Sequence, residues 1–342
     1  MKIGLTYDLK TNITLRPGGV DDEAEEYDPP GTIDALARAI DGLGHQAVRL
    51  GGGPEFLDNV RRNPVDLAFN IAEGRGTHRS REAQVPSVLE MLGIPYSGAD
   101  PLSLAVCLDK PSAKLVCLAA GVLTPKYQVI DSPADLPALD RSGLAFPMFV
   151  KPSYEGSSKG IRRDSRVTNR QELHQAVRRV LDLYHQPALV EEFIPGTEVT
   201  VGAVGNNPPK VLGVMEVVPR QGRHPDFMYS LEIKRDWEAL VTYECPPQLP
   251  ESCIKDIEAA TVTLFKALGC RDLARMDFRI DPSHRVYFLE ANPLPGMGVY
   301  SDLPILAGLV GWSYDQLVEN ILNAALERCG LGQPQHAYRS GL

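Results

Sequence analysis

The chain has 342 residues, too long for one ordinary core, and its 43% hydrophobic and 23% charged residues are ordinary globular values that exclude disordered and fibrous architectures. An excess of 44 acids over 35 bases, net charge −9, argues against a general nucleic-acid or membrane-surface binder but leaves room for a local basic pocket. The six cysteines are scattered without a C-x-x-C, and no stretch is long enough to span a bilayer, so a cytoplasmic chain with reduced thiols is expected.

Lys2 to Tyr7 reads as a buried strand, followed by a polar loop with Pro17-Gly18-Gly19 and an acidic run from Asp21 to Asp28. From Thr32, the apolar residues Ile33, Leu36, Ala37, Ile40 and Leu43 recur at helical spacing, and Gly44 stops the helix. Ala47–Leu50 and Val65–Ile71 are predicted strands, which gives a small parallel α/β domain. A helix over Ser87–Leu92 precedes a second, capped by Asp109 with Pro111 in its first turn. Phe146–Lys151 is a predicted strand, Gln171–Leu183 a helix, and Ala188–Ile194 an extended segment. Antiparallel strands are expected at Glu198–Gly205, Val211–Val218, Ala274–Ile280 and Val286–Ala291, with helices near Cys253–Leu268 and Tyr314–Leu326. The predicted class is α/β in three domains: residues 1–99, 100–187 and 188–330, with a tail over 331–342.

Three stretches carry chemistry. In Arg275-Met276-Asp277 and Glu290-Ala291-Asn292, period-two alternation puts Arg275 with Asp277, and Glu290 with Asn292, on single strand faces. The short Asp281-Pro282-Ser283 link permits a hairpin that joins them. Two carboxylates and an amide oxygen suit magnesium, although a solvated β face shows the same pattern. Pro293-Leu294-Pro295-Gly296-Met297 follows as a rigid turn whose Gly296 amide can face a ligand. The second stretch is Lys151 and the small-residue loop through Gly160, which fits phosphate and equally an ordinary loop. The third, Glu191-Glu192-Phe193-Ile194 with Glu198, fits an adenine edge and a ribose, or an exposed edge strand.

Taken in this order, the three resemble the ATP-grasp fold and, within it, the D-alanine–D-alanine ligase family. Lys151-Pro152-Ser153-Tyr154-Glu155-Gly156-Ser157-Ser158, Arg275-x-Asp277, Glu290-Ala291-Asn292-Pro293-Leu294-Pro295-Gly296-Met297 and Leu92-Gly93-Ile94-Pro95-Tyr96-Ser97-Gly98 carry the likeness, from about Glu82 to Leu326. The resemblance implies an N-terminal parallel α/β domain, a central α+β domain and a C-terminal α+β domain with an antiparallel sheet. It implies ATP and two magnesium ions (manganese as substitute), small-molecule acid and amine substrates, no nucleic-acid or membrane partner, and room for a homodimer. By the same resemblance, Lys110 and Lys151 would hold the phosphates, and Glu155, Ser157 and Ser158 would belong to the cofactor-binding loop. Glu191, Glu192, Phe193 and Ile194 would present the adenine-binding backbone, and Glu198 the ribose contact. Asp277, Glu290 and Asn292 would bind metal, and Arg275 with the Gly296 amide would stabilise the tetrahedral intermediate. Ser157 belongs to the catalytic set, Lys234 to a mobile lid near Met228–Asp236, and Ser301 to the grip on the amine substrate's carboxylate.

The substrate half departs from the family. Its first-strand glutamate, which holds the first D-alanine's ammonium, has no counterpart in Gly4-Leu5-Thr6-Tyr7-Asp8. Arg235 replaces a lid tyrosine, and Asp302 an apolar residue. These changes predict weak D-alanyl-D-alanine synthesis and a preference for an acid with a neutral or anionic group there, unless Asp8 or the acidic loop replaces the lost carboxylate. That loop, and His78, Arg79 and Arg81, are otherwise expected to be solvated. Three readings compete: a ligase for other substrates, a true D-alanine–D-alanine ligase, and a nucleotide-binding module without catalysis.

Overall fold

The structure, a computed structural model, describes residues 1–15 and 18–332. At the N-terminus β1 (Lys2–Thr6), α1 (Pro30–Gly42), β2 (Gln46–Arg49), α2 (Pro54–Arg62), β3 (Leu67–Asn70) and α3 (Gln84–Leu92) alternate, and the strands form a parallel sheet of order β2-β1-β3. Both α1 and α2 begin with proline, which loses no hydrogen bond in a first turn. Gly93 ends α3 in the left-handed region at φ 67°.

Next come α4 (Pro101–Leu108), α5 (Lys110–Ala119), β4 (Tyr127–Ile130), β5 (Met148–Pro152), β6 (Arg166–Val167), α6 (Arg170–Arg179) and β7 (Ala188–Glu192). Their four strands make an antiparallel sheet of order β4-β7-β5-β6, and Leu173 and Val177 of α6 pack on Met148, Val150 and Val190. The expected boundary at residue 187 therefore needs correction. An apolar run shows that 188–192 is extended, but not which sheet it joins, and it pairs with β4 and β5.

The remaining elements are β8 (Thr197–Val204), β9 (Lys210–Pro219), α7 (Leu231–Arg235), α8 (Trp237–Leu240), β10 (Val241–Glu244), α9 (Glu251–Ala267), β11 (Leu273–Ile280), β12 (Val286–Asn292), α10 (Asp302–Leu309) and α11 (Tyr314–Arg328). Their sheet has the order β10-β9-β8-β11-β12. One face is covered by α9 together with α4 and α5: Cys107, Ala113, Cys117, Ile257 and Phe265 share a core with Val201, Phe278 and Phe288. The two helices after residue 99 thus pack with the C-terminal sheet rather than the central one. On the other face α10 approaches Gly202, where an added Cβ would lie 2.7 Å from Leu303. Leu317, Val318 and Ile321 of α11 bury against Ile33, Leu36 and Ile40 of α1, so the first and last parts of the chain share one core. From residue 333 the expected tail lies outside the described residues. Among the described residues, no helix is long and apolar enough to cross a membrane. All six cysteines are unpaired.

One turn fixes the end of β3. Gly74 sits at φ 79°, and a Cβ there would fall 2.0 Å from the Arg81 carbonyl oxygen. Gly74→Ala should destabilise the fold by about 3 kcal/mol, through backbone strain and overlap. An unchanged urea midpoint would show that the turn is not held as described.

Candidate active site

The carboxylates predicted to face one another do so. β11 and β12 pair antiparallel with Asp277 opposite Glu290 and Arg275 opposite Asn292. Asp277 Oδ1 accepts from Thr200 Oγ1 at 2.8 Å, and Arg275 Nη2 donates to Asp277 Oδ2 at 2.9 Å. Burial pushes the Asp277 carboxyl up against the lowering effect of Arg275. Burial also acts on Glu290, but Lys110, Lys151 and Arg275 outweigh it and bring that carboxyl down to about 2. Lys110 Nζ lies 3.4 Å from Glu290 and also bonds the Glu155 backbone carbonyl. The pair is therefore an anionic centre surrounded by cations. Among the described residues there is no group of three or more His, Cys, Asp and Glu side chains suited to a metal. Protein supplies two carboxylates and the Asn292 amide, so a bound magnesium ion would complete its hard-oxygen shell from phosphate and water. The donor set fits on those terms.

A cavity opens in front of these strands, lined by Lys151, Ser158, Glu191, Glu192, Phe193, Ile194, Glu198, Lys234, Arg275, Asp277 and Glu290. Lys151 is buried and bonds Glu191 at 2.9 Å, and Lys114 reaches the same carboxylate at 2.6 Å from the other side. Burial opposes charge on Glu191, but the two lysines keep its carboxyl below the ordinary range. Glu198 accepts from Arg279 Nη1 at 3.0 Å, and Arg279 stacks 4.8 Å from the Phe193 ring centroid. The amides of Glu192 and Phe193 are already bonded to the Lys126 and Pro147 carbonyls, so neither is free for an adenine edge. Lys234 makes no ion pair among the described residues and lines the cavity from α7.

Glu155 is not in this cavity. It is buried, bonded to Gln186, Arg81 and Lys159, and the latter two also grip Glu26 of the acidic loop. This overturns two expectations. The acidic loop is not a solvated run: Asp22 and Glu26 are buried, and Asp22 accepts from Tyr184 and Arg162. Arg81 is not surface either, at 1% exposed, whereas His78 is exposed and Arg79 pairs with Asp109 at 3.0 Å.

A second cavity adjoins the first and shares Tyr229, Lys234, Arg275 and Asp302 with it. Ser157, Arg235, Gly296 and Ser301 lie in its lining, together with Glu25, Glu26, Asp28 and Glu73. Asp302 opens α10 and lies 3.4 Å from Arg275 Nη1, so it braces the arginine rather than leaving an acid free for substrate. The guanidinium is buried, yet Asp277 and Asp302 raise its pKa above the usual arginine value. Arg235 also differs from expectation. Its Nη1 bonds Asp21 at 2.8 Å and its Nη2 lies 2.6 Å from Glu25, so its charge is spent on the acidic loop and does not confront a substrate. Asp8 is unavailable to substrate, being buried against Arg75 and the Gly74 amide.

Several site residues escaped the sequence reading. Arg279 repeats the two-residue period of Arg275 and Asp277, and Lys114 lies one helical turn beyond Lys110, so both had a readable signal. Tyr229, whose hydroxyl is 2.8 Å from that of Tyr243, puts a tyrosine in the second cavity from outside α7. Glu73 follows β3 with no motif to mark it.

Residues 119–323 match the family model described as D-ala D-ala ligase C-terminus. A D-alanine–D-alanine ligase of Carboxydothermus hydrogenoformans is 35% identical over 86% of this chain and 93% of its own. The uncharacterised protein y4sG of Sinorhizobium fredii is 33% identical over 88% and 89%. In structure the chain is similar to the D-alanine–D-alanine ligase of Bacillus anthracis complexed with ATP, with a TM-score of 0.73 at 24% identity over 96% of this chain and 98% of that one. This last likeness concerns the fold.

Two substitutions test the site. Arg275→Lys loses the planar fork that Asp277 and Asp302 hold in place, and kcat should fall on the order of 10²–10³, the loss typical of one oxyanion donor, with KM for ATP nearly constant. A raised KM for ATP with kcat intact would make Arg275 a nucleotide anchor. Arg235→Ala removes an exposed ion pair to Asp21 and Glu25 worth about 1 kcal/mol, which should loosen α7 from the acidic loop roughly fivefold. The measurable result is more ADP released per product formed, and high salt should produce the same uncoupling in the unaltered protein.

Proposed function

The chain belongs to the D-alanine–D-alanine ligase family, and from that premise we propose an ADP-forming carboxylate–amine ligase that works through an acyl phosphate on substrates other than two D-alanines. The observation that carries this reading is the seam between the cavities: Arg275 and Lys234 line both, so a nucleotide on one side and an acid on the other would meet at the same two cations. A carboxylate is a poor electrophile until it takes the terminal phosphoryl group. Lys110, Lys151 and Lys234 would neutralise the charge that gathers during that transfer. Divalent metal held at Asp277, Glu290 and Asn292 would add Lewis-acid neutralisation of the phosphates. Arg275 with the Gly296 amide would then take the oxyanion as the amine adds, and Ser301 would orient the amine substrate. Closure of α7 over the seam, held by Arg235, keeps water from the acyl phosphate.

Support for a changed substrate comes from the lining of the second cavity. Apart from Asp302, its carboxylates belong to the acidic loop and the end of β3, and its lid residue is an arginine tied to that loop. A second reading, D-alanine–D-alanine ligase proper, is favoured by the 31% and 35% identity of two such ligases across most of the chain. Release of ADP and phosphate, measured across a matrix of D- and L-amino acids, separates the two. The first reading expects D-alanine alone to turn over poorly beside another pair. A kcat/KM for D-alanine above every other pair would establish the second, and formation of AMP and pyrophosphate would remove the acyl-phosphate mechanism from both.

A further inference from the structure

The second cavity has carboxyl groups that the ligase chemistry leaves unused. β3 ends at Asn70, and Glu73 lies just beyond the carboxyl end of this parallel strand, where open α/β sheets hold their ligands. The Gly74 amide donates to Asp8 Oδ2 at 2.9 Å and its carbonyl accepts from the Tyr27 hydroxyl at 3.4 Å, so Glu73 projects from a pinned turn. Asp28 is fixed beside it, its amide bonded to the Asp8 carbonyl at 3.1 Å and its own carbonyl to the Lys10 amide at 2.9 Å. The other acids of this cavity already have cations: Glu25 has Arg235, Glu26 has Arg81 and Lys159, and Asp302 has Arg275. Among the described residues, Glu73 and Asp28 form no ion pair.

Burial and the neighbouring carboxylates of Glu82 and Glu26 push the Glu73 carboxyl well above its ordinary range, and burial raises Asp28 to about 7. A cationic ligand would relieve both, because an unpaired charge costs free energy in such a place. The same cavity carries Tyr27, Trp237 and Tyr300, aromatic surfaces that suit a methylene stem ending in an ammonium.

We propose that the carboxylate-donating substrate is a diamino acid, with Glu73 and Asp28 taking its two amino groups while its carboxylate faces Arg275 and the Gly296 amide. A donor with one ammonium leaves one of the two acids uncompensated, and a donor with a blocked amine leaves both. This reverses the preference for a neutral or anionic acid expected from the missing first-strand glutamate, since the replacement carboxylates come from elsewhere in the chain. The proposal rests on the ligase reading above.

Donor choice can be read without knowing the amine substrate by trapping the acyl phosphate with hydroxylamine. The new C–N bond forms as the C–O bond to phosphate breaks, phosphate leaves with the electron pair and a proton, and a hydroxamate is released. Both enantiomers of diaminobutyrate and ornithine are compared with both enantiomers of alanine and aminobutyrate. The basic donors should give kcat/KM about tenfold or more above the neutral ones, and Glu73→Gln and Asp28→Asn should each remove about tenfold of that ratio. The ratio is the readout because a folding defect lowers both donors alike. Equal hydroxamate formation from basic and neutral donors, or a Glu73→Gln loss shared evenly by all of them, would overturn the diamino acid assignment and leave the ligase reading standing. No hydroxamate and no ADP from any donor would remove both together.

Discussion

Arg81 lies between Glu26 and Glu155, at 2.6 and 3.1 Å, and Lys159 spans the same two carboxylates at 3.2 and 2.8 Å. All four side chains are no more than 7% exposed. Removing one partner from such a buried set typically costs 3–5 kcal/mol, because it strands a charge. The acidic loop, the turn before α3 and the small-residue loop after β5 must therefore meet at this point for any of them to be placed. Ser157 and Ser158 sit in that last loop with φ values of 51° and 59°, a conformation side chains seldom adopt and which the surrounding contacts must hold.

From this knot the two cavities diverge in character. On the side of the first cavity, buried Lys114 and Lys151 both meet the buried Glu191 carboxylate, so the cations are already oriented. Preorganised charges of this kind need little rearrangement when phosphate charge develops beside them. On the other side the balance is negative, and the compensating cations mostly belong to the knot or to the lid. Arg275 stands at the seam with carboxylates on two sides, an arrangement that fixes its orientation more than its charge.

The parts that could be read in the sequence are those encoded by local period. Arg275, Asp277, Glu290 and Asn292 follow the two-residue repeat of a hairpin, and their register follows from it. Asp109 as a cap, bonded to the Ser112 amide, and Gly93 as a helix stop are equally local signals. The acidic loop could not be read this way. A run of acids looks the same whether water or Arg81 and Lys159 answers it, and those partners lie far along the chain. Glu155 misled for the same reason: its motif gave the loop's identity, but not the direction its side chain takes. The sheet membership of β7 is a pairing decision made between distant strands, and an apolar run is silent about it.

The knot also sets a limit on inheritance. Its four charges are drawn from the first 100 residues and from the loop after β5 of the central sheet, so neither portion is a free-standing module for exchange. A hybrid taking its N-terminal portion from a relative without Glu26 and Arg81 would leave Glu155 with Lys159 and Gln186, and would lose the anchor of one wall of the second cavity. Changes in the acidic loop and in the loop after β5 are then coupled: any that touch Glu26, Arg81, Glu155 or Lys159 must keep these buried charges in balance.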